Sequence, residues 1–321
     1  MSAFIDGHRD RFGVEPICRT LGVSASAYYQ RRAGQRSARR FADERLTERI
    51  REVHRANYEC YGYRRVHAQL VRDGETVGRD RVARLMRSDG LKGAKRRGKP
   101  WRTTISDPAA KRPQDLVGRD FCASAPDRLW VCDFTYLRCW EGRLYFSFVI
   151  DVFSRRVVGW QLAGHMRTTL VSDALQMALC TRRRGAEVQL VHHSDAGSQY
   201  TSHDYQQQIT DAGVLASIGS VGDAYDNALA ESFVDSFKTE LISDRVWRSR
   251  RDLELAVVEY VAWFNASRLH SALGYRPPDE IEATYADGLL DEGPGDLAQA
   301  LAVTHPDRLY DRCAVVSDLP C

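Results

Sequence analysis

Three acidic side chains stand out by their surroundings. Asp133 lies within Trp130-Val131-Cys132-Asp133-Phe134-Thr135-Tyr136, and Asp195 within His193-Ser194-Asp195-Ala196-Gly197-Ser198-Gln199-Tyr200-Thr201-Ser202. Glu231 lies within Asp226-Asn227-Ala228-Leu229-Ala230-Glu231-Ser232-Phe233. A carboxylate in an otherwise apolar strand, as around Asp133, is costly unless a cation or hydrogen-bond donors satisfy it. Three acids brought together repel one another, which raises their proton affinity and favours metal capture. Mg²⁺ takes oxygen ligands and keeps several waters, so few protein ligands suffice. Two such ions about 3.5–4 Å apart do in-line chemistry on phosphodiesters, one activating the attacking water or 3′-hydroxyl and one stabilising the leaving oxygen. Mn²⁺ is a substitute for Mg²⁺ at such a site.

Further residues flank the triplet. Lys238 follows Glu231 by seven positions, so two helical turns return it to the same face, within reach of a DNA phosphate. The blander expectation pairs Lys238 with Asp235 or Glu240 on the surface. His193 and Asn227 either orient a ligand or complete a strand and cap a helix; both readings stay open. Asp151 is the control: it also ends an expected strand but lacks a flanking motif, and is expected to begin a turn.

These motifs carry a family resemblance. From about Ala42 to Pro278 the chain resembles the catalytic, orfB-type transposases of the insertion-sequence-three family, relatives of retroviral integrases. The resemblance implies a ribonuclease-H-like core and a DDE polynucleotidyl transferase that mobilises an insertion sequence. It assigns catalysis and metal binding to Asp133, Asp195 and Glu231, and a basic site residue to Lys238. Tyr61-Gly62-Tyr63-Arg64-Arg65-Val66 resembles the helical module that precedes this core. Trp263-Phe264-Asn265, Arg268, His270 and Leu273-Gly274-Tyr275 match the closing motif; His270 is expected to pack or face DNA, since two-metal chemistry needs no histidine base. Ala196 departs from the longer polar residue usual there, which is expected to alter DNA contacts rather than metal binding. Relatives are typically fused to an upstream module that recognises the element's ends. The expected partners are therefore DNA, an upstream-frame recognition protein or fusion, and further copies of this chain on DNA.

Composition narrows the class. Of 321 residues, 43% are hydrophobic and 28% charged, as in ordinary globular proteins long enough for two domains. No stretch approaches the roughly 18 apolar residues of a membrane span, and the start shows no secretion signal. A cytoplasmic protein, nucleoid-associated when on DNA, is expected. The eight cysteines form no Cys-x-x-Cys pair, so reduced thiols are expected rather than a zinc site. The net charge of +3 hides an asymmetry: residues 1–114 carry 27 basic against 13 acidic side chains, the remainder 19 against 30. A basic half suggests nucleic-acid contact.

Four regions follow. Residues 1–91 read as a helical, helix-turn-helix-like DNA-binding region. A faint helix-turn-helix falls on Val14–Arg32, with Gly22 as the turn and Ser24 as the cap. Clearer helices are expected over Asp43–Ala56, Tyr63–Arg72 and Arg79–Ser88. Val66, Leu70 and Val71 should face inward, as should Val82, Leu85 and Met86, leaving Arg79, Arg81, Arg84 and Arg87 outward. Residues 92–120 form a basic linker whose Lys92, Lys95, Arg96, Arg97, Lys99 and Arg102 should contact DNA backbone, with Trp101 a stacking surface. Residues 121–282 form the core. Strands are expected at Leu129–Leu137, Leu144–Asp151, Arg156–Leu162, Val188–His193 and Val214–Ile218, with helices at Thr168–Arg182, His203–Ala212, Asn227–Ile242 and Arg251–Ala266. The expected class is α/β, a mixed five-stranded sheet with flanking helices. Residues 283–321 read as an acidic tail, partly disordered. The alternatives are a non-catalytic DNA-binding protein on a retired nuclease scaffold, against which the intact triplet speaks, and a ribonuclease acting on RNA–DNA hybrids.

Overall fold

The computed structural model describes residues 1–33, 38–95, 115–117, 121–182, 189–219, 227–243 and 245–288. They form two compact units: Met1–Ala56 with Tyr61–Lys92, and Asn57–Cys60 with the described residues from Gly93 onward.

The first unit is all helix. Helices α1 (Ser2–Phe12), α2 (Val14–Thr20) and α3 (Ala25–Arg32) bury Ile5, Ile17, Cys18 and Tyr28 together. Ser24 caps α3 as expected, its hydroxyl accepting from the Ala27 N–H at 3.2 Å. Helix α1 was not expected: it buries only Ile5 and so carries almost no apolar stripe. Pro16 sits in the first turn of α2, where its missing N–H costs nothing.

Helices α4 (Ala38–Ala56), α5 (Tyr63–Arg72) and α6 (Arg79–Ser88) pack through Leu46, Ile50, Val53, Val66, Leu70, Val82, Leu85 and Met86. Two expectations fail here. Val71 is exposed, because five residues from Val66 at about 100° each carry it off the buried face. Arg81 and Arg84 are not free: both bind the Asp43 carboxylate, at 2.7 and 2.8 Å. Arg84 and Arg81 together hold that carboxyl below its usual range. Arg79 and Arg87 do remain exposed.

Lys92 and Lys95 are exposed, and the Lys92 carbonyl bonds the buried His54 ring at 3.1 Å. Arg96, Arg97, Lys99, Trp101 and Arg102 lie outside the described residues.

The second unit is built on strands β1 (Leu129–Cys139), β2 (Gly142–Asp151) and β3 (Val157–Ala163), an antiparallel ladder. Helix α7 (Thr168–Thr181), β4 (Val191–Ser194), α8 (His203–Asp211) and β5 (Leu215–Ile218) follow. The sheet order is β3-β2-β1-β4-β5, with β4 parallel to β1 and β5 parallel to β4. Helix α9 (Ala228–Phe237) passes into a π-helical turn over Lys238–Ile242, then come α10 (Arg250–Ala266) and α11 (Pro278–Ala286). This is the expected ribonuclease-H-like arrangement.

Alternation along β1 builds two cores. Val131 and Leu137 face α9 and α10 with Phe146, Phe148, Phe233, Tyr260 and Phe264. Trp130 and Cys132 face α7 and α8 with Ala174, Leu175, Tyr205 and Ile209. Gly159 lets α7 lie directly on the sheet, since a Cβ there would stand 2.2 Å from the Ala174 carbonyl oxygen.

Strand β4 is shorter than expected: Gln189 and Leu190 are not strand, and Val188 lies outside the described residues. The helix expected over Asn227–Ile242 changes hydrogen bonding at Lys238, whose carbonyl accepts from the Ser243 N–H at 2.7 Å. Helix α11 runs past residue 282, where the sequence places the end of the core. Ile281 is buried with Phe153 and Leu273, and Tyr285 lies edge-on to Phe153. Residues 289–321, most of the expected tail, lie outside the described residues. Among the described residues no helix is long and apolar enough to cross a membrane.

Candidate active site

Asp133 sits mid-strand on β1, on the face that α9 and α10 cover. Its one backbone donor is the Phe134 N–H, 2.7 Å from Oδ1. Burial pushes its carboxyl up to about 8; Asp195, and after it Glu231, add like charge, while the Phe134 N–H and Lys238 oppose the rise.

Asp195 follows the end of β4. The parallel register pairs Val131 with His193, so two residues further on Asp195 emerges beside Asp133. The Gly197 N–H donates to Asp195 Oδ1 at 3.0 Å. A Cβ on Gly197 would stand 2.9 Å from that oxygen, so a side chain there would push the carboxylate aside. Burial raises the Asp195 carboxyl too, against the Gly197 N–H and His193.

Glu231 lies in the first turn of α9, its N–H bonded to the Asn227 carbonyl at 3.0 Å. Burial and the nearby Asp235 raise its carboxyl. Asn227 occupies the cap position but its side chain does not cap the helix. Its Nδ2 instead donates to the Cys132 carbonyl at 3.0 Å, tying the start of α9 to β1 one residue before Asp133. This is neither of the roles read from the sequence. His193 takes the structural one: it is buried, with Nδ1 2.9 Å from Ser217 Oγ on β5.

Lys238 is drawn toward the same place. Burial lowers its ammonium, while Asp133 and then Asp235 favour the charge. Its Nζ stands 4.9 Å from the centre of the Tyr136 ring. The pairing with Glu240 does not form, because Glu240 is turned inward to Arg268 Nε at 2.8 Å and the Tyr260 hydroxyl at 2.8 Å. Arg268 also stacks on Phe264, against which His270 lies edge-on at 4.8 Å. Asn265 bonds both the N–H and the carbonyl of Val157, each at 2.9 Å. The closing motif is therefore packing and ion pairing inside the core, His270 included.

The three acids thus lie within one another's electrostatic reach at Asp133, although among the described residues no three Asp, Glu, His or Cys side chains stand close enough to hold a metal ion. The donor set is all carboxylate oxygen, which suits a hard divalent cation. Residues 220–226, which lead into α9, lie outside the described residues. Sequence reasoning overlooked Gly197, the Asn227 tie and Tyr136. Tyr136 is half exposed on β1, which its place in the sequence does not reveal.

Comparison with known proteins converges on one reading. Models of the integrase core domain match residues 123–224 and 212–278, and a model of the HTH-like domain matches 42–99. The last covers α4 to α6, not the faint motif at Val14–Arg32. The chain is 44% identical over 303 residues to the transposase for insertion sequence element IS629 of Shigella sonnei, covering 93% of this chain and 100% of that one. It is 46% identical over 269 residues to a protein of Mycobacterium tuberculosis named as transposase for insertion sequence element IS986/IS6110, with 83% and 96% covered. It is 35% identical over 286 residues to transposase InsF of insertion sequence IS3A of Escherichia coli K12, with 87% and 97% covered. An integrase-type core implies dependence on a divalent metal ion. The chain belongs to the IS3 family of insertion-sequence transposases, DNA-acting polynucleotidyl transferases with an integrase-type core and an HTH-like domain.

Proposed function

We propose that Asp133, Asp195 and Glu231 are the catalytic and metal-binding residues, and that with Mg²⁺, or Mn²⁺ in its place, they cleave the ends of an insertion sequence and join them to target DNA. The observation that supports this best is the state of Asp133. Its carboxyl is pushed up to about 8 by burial and by two further acids, with one N–H and one ammonium opposing them. Such a group is mostly protonated at neutral pH until a cation joins it. A pair of bound ions would supply Lewis-acid activation of the attacking oxygen and charge neutralisation at the leaving one.

The chain's own residues do the positioning. Asn227 ties the helix of Glu231 to the strand of Asp133. Gly197 holds the Asp195 carboxylate by its N–H. Lys238, already favoured as a cation by Asp133, contacts a phosphate of the reacting strand. Lys92 and Lys95, with Arg96, Arg97, Lys99 and Arg102, neutralise DNA backbone further out. We assign residues 1–91 to DNA binding, 92–120 to a basic linker, 121–282 to the catalytic core, which α11 extends to Ala286, and the remainder of 283–321 to an acidic tail. The protein acts in the cytoplasm on the nucleoid, as several copies on DNA, with an upstream-frame recognition module.

The test is Mg²⁺-dependent nicking and strand transfer on a duplex carrying the element's terminal repeats. Asp133→Asn and Glu231→Gln should each reduce both steps to background while DNA binding persists. Undiminished activity in either variant would remove the assignment. Salt-sensitive DNA binding by the unaltered chain with no cleavage would favour the retired scaffold instead.

A further inference from the structure

We propose that the outer end of the β1–β2 hairpin is a landing surface for an unpaired DNA strand running out of the acidic site. The proposal rests on the reading of Asp133 as a phosphodiester-processing residue.

Alternate residues of a strand share a face. On one face of β1, Trp130 and Cys132 are buried under α7 and α8, with Phe134 packed against them. Tyr136, Arg138 and Trp140 continue that row beyond the cover, Tyr136 46% and Trp140 72% exposed. The exposed rings of Tyr136 and Trp140 lie in one row, and a row of exposed rings marks a surface for a partner more than a lone one does. Across the ladder, Tyr136 pairs with Tyr145 and Arg138 with Arg143. Two arginines directly opposite one another destabilise a hairpin unless an anion lies between or over them. Among the described residues no carboxylate pairs with Arg138, Arg143 or Arg248.

Cations and rings alternate along this surface. Lys238 lies 4.9 Å and Arg138 5.9 Å from the Tyr136 ring centre, and Arg248 lies 5.5 Å from that of Trp140. The platform is braced from beneath. The Trp140 N–H donates to the Trp247 carbonyl at 3.0 Å, and Arg250 bonds Glu141 through its N–H at 2.9 Å and its guanidinium at 3.1 Å. Lys238 links the platform to the chemistry, since the same ammonium that feels Asp133 covers Tyr136.

Exposed rings flanked by unpaired cations suit a single strand: bases stack on the rings and phosphates meet the guanidinium groups. A duplex keeps its base faces stacked inside, so it could use the cations but not the rings. From Tyr136 to Trp140 the surface runs roughly 13 Å, a short stretch of strand.

The experiment measures fluorescence anisotropy of two labelled DNAs with the full chain, without divalent ions: a blunt duplex, and the same duplex with a single-stranded tail. Trp140→Ala should weaken binding of the tailed DNA about tenfold and leave the blunt duplex unchanged, while Trp140→Phe keeps most of the affinity. Joint Arg138→Ala and Arg248→Ala should lower the salt slope for the tailed DNA by about 1.4. Equal loss on both DNAs, or no loss on the tailed one, overturns the proposal. Thermal unfolding of each variant identifies any that fail to fold; Tyr136→Ala, which removes a ring and leaves the cations, then decides the matter by the same comparison. Asp133→Asn, tested separately for Mg²⁺-dependent cleavage, separates the two readings. If cleavage survives that change the active-site reading fails, whereas the tailed-against-blunt difference judges the surface alone.

Discussion

Asp133 and Asp151 lie three rungs apart on the same ladder, on opposite faces of the sheet, and burial raises the proton affinity of both. Their surroundings differ completely. Asp151 accepts from the Asp127 N–H at 2.7 Å, the Ser154 N–H at 2.9 Å and the Ser154 hydroxyl at 3.2 Å. Arg182 stands by, and its bond to Glu282, which also accepts from Ser154, ties in α11. Its carboxyl rises only to about 6. Asp133 has one N–H, the Lys238 ammonium and two acids for neighbours, and rises to about 8. A buried carboxyl ringed by donors is part of the scaffold; one ringed by other acids calls for a cation from outside.

The largest effect that would break this contrast is catalytic. Asp195→Asn should abolish Mg²⁺-dependent cleavage, while Asp151→Asn should leave cleavage per folded molecule intact and lower stability by about 1–3 kcal/mol in urea melts. A stable Asp151→Asn protein without activity would erase the distinction. Next in size, Arg182→Ala strips the charge partner from Glu282, Asp127 and Asp151, and should cost about 3 kcal/mol of unfolding free energy without changing the cleavage rate of folded protein.

The pH dependence sharpens the comparison further. Both folded carboxyls are raised, so the stability they contribute is complete below the ordinary carboxylate range and is lost as pH rises through about 6 for Asp151 and about 8 for Asp133. In a chelator, melting temperature should therefore fall between about pH 4 and about pH 8, and Asp133→Asn should remove its share of that fall, including all of the part lost above about pH 6. Mg²⁺ should restore that part and not the Asp151 part, by several degrees at roughly 2–4 °C per kcal/mol. A Mg²⁺ effect that persists in Asp133→Asn would count against the acidic site. The smallest effect belongs to Lys238→Ala, expected to weaken DNA binding several-fold and to reduce the salt slope by about one, with Lys238→Arg closer to the parent.

Much of the core was legible before any coordinates. Runs of apolar, β-branched and aromatic residues bounded by turn residues marked β1, β2 and β3 to within two residues. Helix α11 and helix α1 were not legible. The first spends its acids on Arg156 and Arg182, far away in the chain, so its charge pattern reads as a tail. The second has too few apolar residues to show a stripe. The HTH-like match on 42–99 covers helices α4 to α6 and not the capped turn at Ser24.

By itself the chain determined the order of strands and helices and the three acid-bearing motifs, since residue periodicity and flanking residues are properties of short segments. Only the tertiary structure decided what each charge experiences. The parallel register of β4 brings Asp195 beside Asp133, the inward turn of Glu240 to Arg268 withdraws it from Lys238, and Asp43 engages two arginines that the sequence left free. The reason is physical: desolvation and Coulomb energy depend on distance through space and on what excludes water, and neither is written in the spacing of residues along the chain.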